Sequence, residues 1–114
     1  MNSFGLPPKS AGKDDTRYKQ LIKYYIFKEA YQQDFEANRL NTSNNDILLT
    51  EIQKRYPESG DIEEYRREAR GMAMKDDPLI EFVGNIDEDK ITLTDRGRDY
   101  WEENPNRDIS ESNL

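Results

Sequence analysis

The chain has 114 residues, of which 36% are charged and 33% hydrophobic, with no cysteine, no histidine and a net charge of −7. That length and balance allow one domain with a small core built mostly from amphipathic helices. Disulfides and thiolate metal sites are excluded, and the commonest general base and zinc ligand is missing, so the composition points away from an enzyme.

Met1 to Asp14 carries Gly5, Pro7, Pro8 and Gly12 among small polar residues with no period, the pattern of a disordered arm. Lys9 and Lys13 there either touch phosphate or aid solubility. The arm lacks the apolar core of a signal peptide, and no run approaches the ~20 apolar residues needed to span a bilayer. The expectation is a cytoplasmic protein without membrane contact, with a folded domain over 15–103 and a disordered tail over 104–114.

From Thr16 to about Ala37 neither proline nor glycine interrupts a helix. Tyr18, Leu21, Ile22, Tyr25 and Ile26 form one apolar stripe, and Tyr24, Phe27, Tyr31 and Phe35 a second on another side. A small core needs one such stripe, so the second requires a cover: either the C-terminal helix with Tyr100 and Trp101, or the same helix of another subunit. Arg39 to Asn45 is a polar connection, and Asp46 to Tyr56 reads as a short helix ended by Pro57. Asp61 followed by Glu64 predicts a capping box, starting a third helix near Ile62.

The two faces of this third helix separate. Ile62, Tyr65, Ala69, Met72 and Ala73 fall on a buried side, and Glu63, Arg66, Arg67, Arg70 and Met74 on an outer side. The three arginines suit guanine edges or phosphates, whereas Asp61, Glu63, Glu64 and Glu68 beside them equally suit a solvated, salt-bridged face. Asp76-Asp77-Pro78 ends the helix and starts a strand in which Ile80 and Phe82 face the core opposite Ile91 and Leu93. The turn between these strands holds Asn85, Asp87 and Asp89 at calcium-loop spacing. Lys90 and Arg96 stand where such a loop needs glycine and glutamate, which argues against a calcium site. Thr94 predicts the cap of a last helix over Asp95 to about Glu103, and Gly97 predicts close approach to another element, plausibly the first helix.

The join Leu93-Thr94-x-x-Gly97-x-x-Tyr100 resembles the corresponding segment of MarR-like and PadR-like regulators and of small archaeal winged-helix proteins, over roughly Asp46 to Trp101. The resemblance implies an α+β, mostly helical fold: a winged helix-turn-helix with a long N-terminal helix, a two-stranded wing and a C-terminal helix. It implies a transcriptional regulator that binds double-stranded DNA, Arg66, Arg67 and Arg70 contacting DNA and Lys54, Arg55 and Lys75 adding phosphate contacts. It also implies a homodimer joined through Tyr24, Phe27, Tyr31, Phe35, Tyr100 and Trp101, with no cofactor and no metal.

The charge distribution departs from that pattern. Thr16 to Leu40 has five bases (Arg17, Lys19, Lys23, Lys28, Arg39) against three acids (Glu29, Asp34, Glu36). Asp76 to Lys90 has six acids (Asp76, Asp77, Glu81, Asp87, Glu88, Asp89) against one lysine, so the wing is the acidic end and repels a DNA backbone. A second reading therefore stands beside the first: a protein-interaction module whose acidic wing binds a basic partner. An acidic mimic of DNA is a third. Carboxylates are plentiful, yet no nucleophile, phosphate-cradling glycine loop or metal-ligand pattern accompanies them.

Overall fold

In a computed structural model, residues 15–103 are described apart from positions 43, 86 and 87, so the two expected disordered ends and Asp87 lie outside the described residues. The first helix, α1, runs over Asp15–Arg39. It stops in a Schellman motif: Asn41 takes a left-handed φ of 57°, the Thr42 amide donates to Ala37 carbonyl at 2.8 Å, and the Asn41 amide donates to Asn38 at 3.2 Å. Asparagine tolerates that conformation, which is why the helix ends here rather than at a proline or glycine. The first apolar stripe is buried at Tyr18, Ile22 and Ile26, extended by Ala30 and Ala37.

A strand β1 (Asp46–Leu48) follows and leads without a break into α2 (Leu49–Arg55). The single helix expected over Asp46 to Tyr56 is thus corrected at its start. Asp46, Ile47 and Leu48 pair with Thr92, Ile91 and Lys90, which satisfies their backbone across a sheet and buries Ile47. After Tyr56 a single 3-10 turn (Pro57–Ser59) leads to α3 (Ile62–Ala73). Its capping box is complete: the Asp61 carboxylate accepts from the Glu64 amide at 2.9 Å, and the Glu64 carboxylate accepts from the Asp61 amide at 2.9 Å.

Strands β2 (Ile80–Phe82) and β3 (Lys90–Leu93) form the expected hairpin, antiparallel, with Ile80 opposite Leu93 and Phe82 opposite Ile91. With β1 added, the sheet has three antiparallel strands in the order β1-β3-β2. The last helix, α4, covers Asp95–Glu103. Thr94 caps it, its hydroxyl accepting from the Gly97 amide at 2.9 Å while donating to the Pro78 carbonyl at 2.6 Å. The close approach at Gly97 is to the chain just ahead of β2, not to α1. A Cβ there would stand 2.2 Å from the Leu79 carbonyl oxygen and 2.8 Å from a Leu93 methyl. The result is an α+β, mostly helical fold with four α-helices and a small sheet among the described residues.

The core lies where α1 crosses α3 and the inner sheet face. Ile22, Ile26, Phe27, Ile52, Tyr65, Ala69, Met72, Ile80 and Ile91 are its centre. Among the described residues, no helix is long and apolar enough to cross a membrane.

Candidate functional site

The capping box sets the rotation of α3. With Asp61 fixed at the cap, Tyr65, Ala69 and Met72 turn inward and are buried. The buried Tyr65 hydroxyl is satisfied by donating to the Tyr56 carbonyl at 2.8 Å. The opposite side presents Glu63, Arg67, Arg70, Gly71 and Met74 to solvent, Met74 being 83% exposed.

The six candidate DNA-contacting cations fall into two groups. Arg66 and Arg55 are held by buried carboxylates. The Arg66 Nε donates to both Asp89 oxygens at 2.9 Å, its terminal nitrogen reaches Asp89 at 2.7 Å, and it also bonds Glu63. Asp89 is 5% exposed, sits at a left-handed φ of 58°, and its carbonyl accepts from the Leu49 amide at 2.7 Å. Arg66 therefore ties α3 to the end of the turn that joins β2 and β3, and through the Asp89 carbonyl to the start of α2. The hydrogen bond to Asp89 raises its guanidinium pKa further above an already high value. Arg55 bonds Glu29 of α1, whose other oxygen accepts from Tyr56 at 2.7 Å. Tyr56 in turn stacks on Tyr25 with centroids 3.9 Å apart.

The second group is presented outward. Arg67 reaches its neighbour Glu68, at 3.5 Å, and both Arg67 and Arg70 are exposed. Lys54 lies 3.8 Å from Glu51 on the outer side of α2. Lys75, just past α3, has its ammonium pKa lowered by partial desolvation and by the charge of Lys23. Lys23 is itself 4.0 Å from Glu68. Lys23, Arg67, Arg70 and Lys75 thus bring α1 and the C-terminal half of α3 into one cationic region. Arg55 lies apart from it, lining a cleft of about 350 Å³ with Gln33, Asp46, Glu51 and Lys90.

The candidate dimer residues meet one another within the chain. Trp101 packs edge-on to Phe27 at 5.1 Å and stacks on Tyr31 at 4.9 Å, with Tyr24 at 6.4 Å, while Tyr100 meets Phe27 at 5.9 Å. Phe27 is fully buried by these contacts, and Phe35 at the end of the stripe stays 53% exposed.

Sequence reasoning missed the buried carboxylates Glu29, Asp34, Glu68 and Asp89. Asp34 binds Arg98 of α4 through bonds of 2.9 and 3.0 Å, and Asn38 and Asn45 also donate to it. The hydrogen bond from Arg98 holds the Asp34 carboxyl below its ordinary pKa, outweighing desolvation. The signal was present: Asp34 continues the Ile26, Ala30 row at helical spacing, and Glu29 lies three residues after Ile26 on the same side. On the outer sheet face Asp46 and Glu81 flank Thr92, and with Asp95 and Arg98 they line a shallow cleft of about 480 Å³. Among the described residues, no group of three or more histidine, cysteine, aspartate or glutamate side chains is placed to hold a metal ion. No protein-family model, curated protein or solved structure matches the chain.

Proposed function

We propose that the chain is a winged helix-turn-helix domain that binds double-stranded DNA as a transcriptional regulator, with α3 as the reading helix. The observation that carries this reading is connectivity. The order α1, β1, α2, α3, β2, β3, α4 with strands arranged β1-β3-β2 supports this reading, in which the β2–β3 hairpin takes the place of the wing. The outward cations Arg67, Arg70, Lys75 and Lys54 supply phosphate and base contacts; Arg66 and Arg55 act from the side, already engaged with Asp89 and Glu29. A homodimer places two α3 helices on successive half-sites. The exposed Phe35 and Leu40 at the end of α1 are the apolar surface that the second copy covers.

The experiment is fluorescence anisotropy with labelled duplex fragments at ~50 and ~200 mM salt. Binding that weakens steeply with salt, with a shallower slope for an Arg67, Arg70, Lys75 triple alanine variant, supports the reading, because each lost phosphate contact removes roughly 0.9 from the slope. Absence of binding at both salts by folded protein rejects it. The acidic outer sheet face, with Asp46, Glu81 and Asp95 around one cleft, then favours the second reading, a module that docks a basic protein partner. A lysine- and arginine-rich peptide is the probe for it, with Glu81→Gln as the variant that weakens binding.

A further inference from the structure

Among the described residues two glycines stand inside helices, and their surroundings are opposite. Gly97 has no room for a side chain. Gly71, in the last turn of α3, has nothing within 4 Å of where its Cβ would be, and its φ is not in the left-handed region. Glycine inside a helix is less stable than alanine because it loses more backbone freedom on folding and covers no surface. Among the described residues, neither packing nor backbone geometry calls for glycine at this exposed position. The missing side chain leaves the helix backbone open to close approach from outside.

The chemistry around Gly71 says what approaches. Arg67 and Arg70 precede it on the exposed side and Met74 follows it, and Lys75 lies one residue beyond. From Arg66 to Asp77 there are four cations (Arg66, Arg67, Arg70, Lys75), with Arg66 held by Asp89 and Glu63, against Glu68, Asp76 and Asp77, whereas the first turn carries Asp61, Glu63 and Glu64 with no cation among them. A polyanion is thus opposed at the beginning of α3, while toward its end it meets the exposed Arg67 and Arg70.

We infer that the duplex lies across the C-terminal half of α3, its sugar-phosphate backbone coming against the helix backbone at Gly71, with Arg67 and Arg70 on phosphates and the Met74 side chain against sugar or base surface. This rests on the DNA-binding reading and gives it a direction along the helix. A side chain at position 71 stands the duplex off without disturbing the protein.

The test uses the full chain with Gly71→Ala and Gly71→Gln, thermal unfolding measured beside duplex affinity. Both variants are expected to melt a few degrees higher than the parent, because alanine and glutamine are better helix formers. Duplex affinity is expected to fall about tenfold for Gly71→Gln and less for Gly71→Ala, the same standoff that removing a well-placed contact produces. Glu63→Gln, in the acidic first turn, is expected to tighten binding slightly. Equal affinity for the parent and Gly71→Gln, with the parent binding tightly, overturns the placement and leaves DNA binding standing. A lower melting temperature for Gly71→Ala overturns it too, by showing an internal need for glycine. A parent chain that binds no duplex at either salt overturns both readings together.

Discussion

Single side chains decide how this protein holds its surfaces. The two helical glycines give opposite signs for one substitution. Gly97→Ala drives a methyl into the Leu79 carbonyl and is expected to destabilise by about 1–3 kcal/mol, whereas Gly71→Ala stabilises. Urea unfolding of the two variants checks the pair. Thr94→Ala removes the cap of α4 and the bond to Pro78, at a cost of about 1 kcal/mol, read by the same titration. Arg66 and Asp89 are expected to behave as one unit: Arg66→Ala and Asp89→Asn each speed amide exchange at Leu49 and along β3, and the double variant adds little to either. If Arg66 instead serves as a phosphate contact, Arg66→Ala lowers the salt slope of DNA binding while Asp89→Asn tightens binding by removing a negative charge.

Among the elements, α4 is the one attached chiefly by specific pairs. Its Trp101 sits on the α1 aromatics, and Arg98 neutralises the buried Asp34. Arg98→Ala leaves that carboxylate with only amide donors and is expected to cost about 1–3 kcal/mol. The pH dependence follows from the direction of the shift. Asp34 has a folded pKa below its ordinary 3.8, so its stabilisation is complete above that pH and disappears as pH falls through the lower folded value. Acid titration of the parent should steepen below 3.8, and the Arg98→Ala variant should be flatter over the same interval. Tyr56 acts at the other end. Burial, then its bond to Glu29, pushes its pKa from 10.0 up to about 12. Its contribution is present below 10.0 and fades as pH rises from there through about 12, a loss that Tyr56→Phe is expected to shrink.

The elements that were legible in the sequence were those set by neighbouring residues. The Asp61–Glu64 box, the Thr94 cap and the alternation of Ile80, Phe82, Ile91 and Leu93 each act over a few positions, so pattern and structure coincide. Strand β1 was not legible because three residues show no period, and Ile47, Leu48, Ile52 and Tyr56 also suit a helix; its partner is distant β3. The roles of Asp34, Glu29 and Asp89 were hidden for the same reason, since Arg98, Arg55 and Arg66 are remote along the chain. The outward arginines of α3 were legible, but which of them is committed to a carboxylate was not.

At the scale of the whole molecule, two charged surfaces face away from the core. The end of α3 presents Arg67 and Arg70 near Lys23, and the outer sheet face presents Asp46 and Glu81 beside the Asp95–Arg98 pair. The proposed duplex binding belongs to the first surface and falls with salt; a basic peptide belongs to the second. The apolar end of α1 is separate from both. If a second copy covers it, Phe35→Ser combined with Leu40→Ser converts a dimer to a monomer in sedimentation velocity without lowering the melting temperature of the dilute protein. A parent chain that sediments as a monomer at all concentrations rejects the dimer. The sheet also carries a kinetic consequence. β2 and β3 are joined by a short turn and can pair early, whereas β1 reaches β3 only after the whole of α2 and α3 has been looped between Ile47 and Ile91. Closing that loop costs more entropy than closing the hairpin and is expected to follow the rate-limiting step, so Ile47→Val should speed unfolding while hardly changing the refolding rate, marking β1 as the last strand to join.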